Sequence, residues 1–271
     1  MEISKSLTIA GSDSGGGAGI QADLKTFQEL SSYGMSVITA VTSQNTKGVH
    51  DVHPIPMKHI ASQLEAIATD VNPQAVKTGM LGDMDTIHLI ADRVRQYEWK
   101  NLVVDPVMVA KGGARLLEEQ AVSTIKQTLI PLASVVTPNI PEAEALTDKQ
   151  IKTMEDRKEA AVLLAQMGAQ TVIIKGGHGT EDKVSDLLFD GEEFTIYEGE
   201  RYSTRNTHGT GCTFSAAITA ELAKGNNIRQ AVTVAKEFIE LAIKEDLHIG
   251  SGHGPTNHWA YNQYYKRNGI N

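Results

Sequence analysis

The run Thr207-His208-Gly209-Thr210-Gly211-Cys212-Thr213-Phe214 joins a glycine-rich turn to a helix. Phe214, Ala217, Ile218 and Leu222 recur at helical spacing, and Lys224-Gly225 ends the pattern. A helix start leaves backbone N–H groups unpaired and carries partial positive charge. Gly209 and Gly211 remove the side chains that would hold a ligand away. Gly209, Thr210, Gly211 and Cys212 therefore form a candidate socket for a phosphate or a developing oxyanion. Cys212 is the only cysteine of the chain. A thiol at a helix N-terminus has a lowered pKa and is a candidate nucleophile or base. The same residues also fit a tight turn followed by a small buried apolar cysteine, so the rest of the chain must decide.

Further chemistry stands at the ends of apolar runs. Gln44 follows Met35–Ser43, and its amide suits the edge of a heterocycle; a surface turn residue is the alternative. Asp105 follows Asn101–Val104 as a Mg²⁺ or phosphate-network candidate, or as a turn residue before Pro106. Lys175 follows Thr171–Ile174 among glycines, placed to reach a phosphate as a point charge or to lead into a hairpin. Asn139 and Glu142 have the spacing of a capping box, and Glu142 could serve a helix and a metal-bound water together.

These residues need elements to position them. Ser6–Ala10 reads as a strand, Gly11–Gly19 as a glycine loop, and Ile20–Tyr33 as a helix. The loop lacks the Gly-Lys-Ser/Thr ending of a Walker A motif and departs from a dinucleotide fingerprint. Close approach of the backbone to a small ligand remains. Strands are predicted at 35–43, 75–78, 101–104, 134–137 and 171–174, and helices at 56–69, 84–97, 156–167 and 228–246. Almost wholly apolar strands alternating with helices indicate a parallel sheet covered on both faces, with ligands at the carboxyl ends of its strands. A small hairpin is predicted around 44–55, and a loop or flap around 108–116. Antiparallel strands are expected at 185–189 and 193–197. The tail from Gly250 to Asn271 is polar, and its His253 and His258 read as surface residues.

Composition narrows the function. The 271 residues are 41% hydrophobic, enough for one large α/β domain or two small ones; a single unit over 1–271 is the expectation. The net charge is −8 with no basic tract, which argues against a nucleic-acid partner. One cysteine suits a reducing compartment. The N-terminus lacks a signal-peptide core, and no apolar run reaches the roughly 18 residues of a membrane span. A cytoplasmic protein is the expectation.

The chain resembles the hydroxymethylpyrimidine/phosphomethylpyrimidine kinases of thiamine biosynthesis, in the ribokinase-like superfamily beside the pyridoxal kinases. The resemblance rests on Ala10-Gly11-Ser12-Asp13-Ser14 with Gly16–Lys25, Lys77-Thr78-Gly79-Met80, Asp105-Pro106-Val107-Met108, Thr137-Pro138-Asn139 with Glu142-Ala143, Lys175-Gly176-Gly177-His178 and His208–Cys212. It spans essentially the whole chain in order. It implies a three-layer α/β/α sandwich around a mostly parallel sheet, usually a homodimer, and phosphoryl transfer from ATP to an aminopyrimidine alcohol and then to its monophosphate. By match, Gly11, Asp23, Gln44, Met80 and Val107 would form the substrate pocket. Asp105, Asn139, Glu142, Lys175 and His208 would meet ATP, with Asp105 and Glu142 organising Mg²⁺ directly or through water. Gly209, Thr210, Gly211, Cys212 and Lys175 would be catalytic. Many ribokinase-like enzymes carry an aspartate as base where Cys212 stands, whereas the pyrimidine kinases use cysteine. A pyridoxal kinase is the nearest rival, although Ala110 stands where some of those enzymes have a flap cysteine. A non-catalytic ligand sensor and a nicotinamide-dependent oxidoreductase are more distant readings.

Overall fold

A computed structural model describes residues 3–110, 113–114, 116–117, 119–177 and 183–269. Its centre is a sheet of strands β1 (Lys5–Asp13), β2 (Tyr33–Asn45), β3 (Gly48–Pro54), β4 (Ala75–Thr78), β5 (Leu102–Val104), β6 (Val135–Val136), β7 (Thr171–Ile174), β8 (Lys183–Phe189) and β9 (Phe194–Glu200). Their spatial order is β3-β2-β1-β4-β5-β6-β7-β8-β9. The pairs from β2 through β7 are parallel, while β3, β8 and β9 join antiparallel.

The helices are α1 (Gly19–Glu29), α2 (Met57–Asp70), α3 (Met84–Gln96), α4 (Glu119–Thr124), α5 (Ile140–Thr147), α6 (Met154–Gln166), α7 (Thr210–Ala223), α8 (Ile228–Lys244) and α9 (Ala260–Arg267). They cover both faces of the sheet, as its alternation shows. Leu102 and Val104 pack with Ile90 of α3 and Leu164 of α6 in one core. Val103 between them packs with Phe214 of α7 and Phe238 of α8 in the other. Successive side chains of a strand point to opposite faces, so a strand apolar throughout is buried from both sides. This is the three-layer α/β/α arrangement expected from the sequence.

Strand order runs outward from β1 to β2 in one direction and from β1 to β4 in the other. That reversal opens a crevice at the carboxyl ends of the strands. Gly79, Asp105, Asn139 and Lys175 stand just beyond those ends, and Gly11 lies two residues inside the end of β1. The anticipated hairpin is β2–β3, closed over Thr46 and Lys47. The Asn139–Glu142 capping box is present in full.

Several expectations needed adjustment. β1 continues three residues past Ala10 to Asp13, because Ser12 and Asp13 still pair with Val41 and Thr42 beyond a bulge. The polar tail carries α9 and a buried segment, 254–258. His258 is 5% exposed, with Nε2 2.9 Å from Thr213 Oγ1, so its expected surface position is corrected; His253 is exposed. Lys111, Gly112 and Arg115 of the 108–116 loop, and His178 of the lysine-glycine motif, lie outside the described residues.

Candidate active site

A cavity of about 1130 Å³ opens across the carboxyl ends of the strands. Part of its lining is built from charge and backbone amides. Gly209 has φ +83°, and a Cβ there would stand 1.7 Å from the Gly17 carbonyl oxygen, so the turn tolerates only glycine. This turn starts α7, with Gly209 as its N-cap. The N–H groups of Thr210, Gly211 and Cys212 have no carbonyl one turn back to take them; Thr210 N–H makes only a long 3.4 Å contact to Thr207. The helix closes with Thr213 N–H donating to Gly209 at 2.8 Å.

Lys175 and Asp105 sit beside this turn. A Cβ on Gly211 would lie 3.2 Å from Lys175 Nζ and 3.9 Å from Asp105 Oδ2. Lys175 Nζ donates to Asp105 Oδ1 at 2.8 Å, and Ser215 Oγ of α7 donates to Oδ2 at 3.1 Å. Burial works against the Asp105 charge, yet the ammoniums of Lys175 and Lys77 hold its carboxyl below the usual range. Lys175 itself is held charged, against burial, by Asp105 and Glu142. The extension of β6 and β7 aligns this group, since Lys175 N–H donates to Pro138 and bridges Asn139. Glu142 Oε2 accepts the Asn139 N–H at 2.8 Å. Burial pushes Glu142 up to about 7, opposed by Lys175 and reinforced by Asp105.

A second, largely neutral group of residues lines the same cavity: Gly11, Gln44, Met80 and Val107. A Cβ on Gly11 would stand 2.4 Å from Met80 Cε, so the glycine lets the thioether lie across the strand end. Thr39 Oγ1 holds the Met80 carbonyl at 2.7 Å. The Gln44 amide lies 3.2 Å from His208 Nε2, which in turn lies 2.8 Å from Asp13 Oδ2.

The profile of the phosphomethylpyrimidine kinase family matches residues 13–257. The chain belongs to that family. A hydroxymethylpyrimidine/phosphomethylpyrimidine kinase of Bacillus subtilis is 56% identical over 272 residues, covering 100% of this chain and 99% of its own. Among solved structures, an ADP complex of Bacillus subtilis pyridoxal kinase superposes with a TM-score of 0.90 at 46% identity, over 96% of this chain and 99% of that one. A Staphylococcus aureus pyridoxal kinase in complex with pyridoxal gives a TM-score of 0.91 at 42% identity, over 97% and 96%.

Within this family member, the cavity gathers nearly all the residues singled out in the sequence. Asp105, Asn139, Glu142, Lys175 and Gly209–Cys212 share it with Gly11, Gln44, Met80, Val107 and His208. His208 stands against Asp13 and Gln44. Asp23 does not reach the cavity surface. It is fully buried on α1, where Oδ2 takes Lys77 Nζ at 2.9 Å and Thr8 Oγ1 at 2.6 Å.

The expected lowering of the Cys212 pKa is not what the surroundings produce. Burial pushes the thiol up to about 11, against the pull of the Lys77 ammonium and the Gly19 N–H. A helix N-terminus favours a thiolate by a fraction of what desolvation costs it. Lys77 and Asp13 stand in motifs quoted from the sequence but received no role there. Lys77 is fully buried in a four-residue strand whose other members are Ala, Val and Thr. A charge inside such a strand requires a buried partner, and that was the available signal.

Proposed function

We propose that this phosphotransferase moves the γ-phosphoryl group of ATP onto the hydroxymethyl group of 4-amino-5-hydroxymethyl-2-methylpyrimidine, and then onto the resulting monophosphate, in thiamine biosynthesis. The observation that carries the reading is the meeting of the Gly209–Cys212 amides with Lys175 and Asp105 in a cavity that Gln44 also lines.

Phosphoryl transfer passes through a loose transition state, so positioning and electrostatic stabilisation do most of the work. The unpaired N–H groups of Thr210, Gly211 and Cys212 would hold the equatorial oxygens of the travelling group. Lys175 would offset charge on the phosphates. Gln44 would hold the pyrimidine edge, between Met80 and Val107. Asp23 acts from beneath, keeping Lys77 charged under the pocket. Cys212 carries its proton at neutral pH; it would have to give that proton to solvent before its thiolate could accept the one from the substrate hydroxyl, and the Lys77 ammonium is the charge that favours that prior ionisation. The base therefore contributes less than the socket.

Among the described residues no cluster of three or more His, Cys, Asp or Glu side chains forms a metal cage. Asp105 and Glu142 instead fit a Mg²⁺ that keeps its waters and arrives on the nucleotide phosphates, which is the usual habit of that ion. When bound it supplies further neutralisation of phosphate charge. Asn139 and His208 complete the polar wall. The chain would act as one kinase unit over 1–271, with the 44–55 hairpin and the 108–116 loop beside the cavity, as a cytoplasmic homodimer. Among the described residues no helix is long and apolar enough to cross a membrane.

Mass spectrometry of products from ATP, Mg²⁺ and the aminopyrimidine alcohol tests the proposal. Successive mono- and diphosphate products are expected, and absence of both refutes it. The solved pyridoxal kinases at 42–46% identity favour one second reading, a kinase of pyridoxal or pyridoxine. A parallel assay decides it, since the pyrimidine reading requires higher kcat/KM on the aminopyrimidine.

A further inference from the structure

His208 occupies a chain of hydrogen bonds whose protons can be counted. Asp13 Oδ1 accepts from Gly15 N–H at 2.8 Å; Oδ2 accepts from Gly17 N–H at 3.1 Å and Ala18 N–H at 2.8 Å. Burial opposes the charge, but His208 and these amides hold the carboxyl below its usual range, so it is an acceptor. His208 Nε2 is 2.8 Å from Oδ2. Two acceptors do not meet at that distance without a proton between them, which places the proton on Nε2.

The near end of the Gln44 amide, 3.2 Å from the same Nε2, then shares as the longer arm the one proton already given to Asp13. It must be the carbonyl oxygen, because an amide's oxygen and nitrogen are told apart by their partners and not by their shape. The position assigned to Gln44 Nε2 is accordingly held by Oε1. The far end, now the NH₂, lies 3.3 Å from Thr42 Oγ1. Thr42 spends its own proton on the Ser12 carbonyl at 2.8 Å, leaving its oxygen as an acceptor. With this assignment every donor in the series Asp13–His208–Gln44–Thr42–Ser12 meets an acceptor.

The imidazole has little freedom to undo this. A Cβ on Gly17 would stand 2.6 Å from its Cδ2, so bare backbone packs against the ring. The His208 backbone is pinned as well, its N–H donating to Gly254 at 3.0 Å and its carbonyl accepting from Thr256 at 3.3 Å.

A locked amide offers the cavity one N–H and one oxygen lone pair in a fixed order. An aminopyrimidine edge carries an amino N–H beside a ring-nitrogen acceptor, also in a fixed order. One pose pairs both, and that pose decides whether the hydroxymethyl group faces the phosphoryl socket. A pyridine alcohol lacks the adjoining pair and leaves one buried polar group unmatched, which costs affinity. We propose that His208, held by Asp13, is the positioning residue that locks the Gln44 amide in one orientation and thereby selects an aminopyrimidine alcohol over a pyridine alcohol. The proposal rests on the reading of Gln44 as the ring-edge contact.

The test compares kcat/KM for the aminopyrimidine alcohol and for pyridoxine, with the KM for ATP measured alongside. His208→Phe keeps a ring and removes the donor; His208→Gln returns an N–H donor at the ε position. The expected result is a loss of about tenfold in preference for His208→Phe, the worth of roughly one well-placed hydrogen bond. It should arise through KM for the aminopyrimidine, with KM for ATP within about twofold. His208→Gln should restore most of the preference. Thr42→Val loosens the same amide from its other end, leaving Asp13 and His208 in place, and should lower the preference as well. An unchanged preference in either His208→Phe or Thr42→Val overturns the proposal, and so does an equal loss on both alcohols that His208→Gln fails to rescue. Gln44→Ala separates the two levels. If it leaves KM for the aminopyrimidine unchanged, the ring-contact reading itself fails; if it raises that KM and His208→Phe does not, only the role of His208 fails.

Discussion

Two parts of the cavity lining are built on opposite principles. Where the phosphoryl group is proposed to sit, Lys175, Asp105 and the α7 amides are packed closely, and a Cβ on Gly211 would stand 3.2 Å from Lys175 Nζ. Full charges stand there in a buried setting, each compensated by a neighbour. Where the ring is proposed to bind, Gln44, Met80 and Val107 present neutral groups, and the Asp13 carboxylate is turned inward onto the glycine loop. The difference separates rate from recognition. Charge near the reacting group acts on the transition state whichever ring is bound, whereas neutral hydrogen bonds discriminate between rings and contribute little to the chemical step.

Substitutions can break that division. The largest effect is expected from Lys175→Ala, which removes a compensating charge from the phosphates and leaves Asp105 buried without its ammonium. Loss of one such electrostatic group costs on the order of 10³-fold in kcat, and steady-state kinetics should show equal losses on an aminopyrimidine and a pyridine alcohol. A loss confined to one ring would abolish the distinction between the two parts of the lining. Cys212→Ala comes next. A general base typically contributes 10²–10⁴-fold, and a thiol held near 11 belongs at the low end. Turnover should fall by about 10²-fold while KM for ATP stays nearly constant; wild-type turnover in this variant would remove the thiol from the mechanism.

Glu142 gives the smallest and most diagnostic effect. Its folded-state value, about 7, lies above that of a free glutamate, so the side chain is mostly neutral at pH 6 and mostly ionised at pH 8. If the carboxylate helps to hold Mg²⁺, kcat/KM for Mg·ATP should rise through an inflection near pH 7. Glu142→Gln should flatten that inflection. A profile of the wild type that is flat from pH 6 to 8 would detach Glu142 from metal binding.

Much of this was legible in the sequence because the signals were local. Apolar runs gave the strands, glycines marked the turns, and Asn139 with Glu142 announced a helix start. Residues at strand ends then had to converge, since a parallel sheet gathers its carboxyl ends along one edge. The features that escaped depend on distant contacts. The tail looked like surface because its glycines and polar residues carry no pattern of their own; its burial comes from His208, whose backbone bonds Gly254 and Thr256, and from Thr213, which meets His258. The acidity of Cys212 was misjudged for the same reason. The helix start is visible in the sequence, but the neighbours that desolvate the sulfur are not.

The most direct measurement is a crystal structure of the protein with a non-hydrolysable ATP analogue and the aminopyrimidine alcohol bound together. The account predicts the terminal phosphate against the amides of Gly209–Cys212 and Lys175, and the pyrimidine edge against Gln44. Phosphates bound away from that turn, or a ring that turns its back on Gln44, would contradict it.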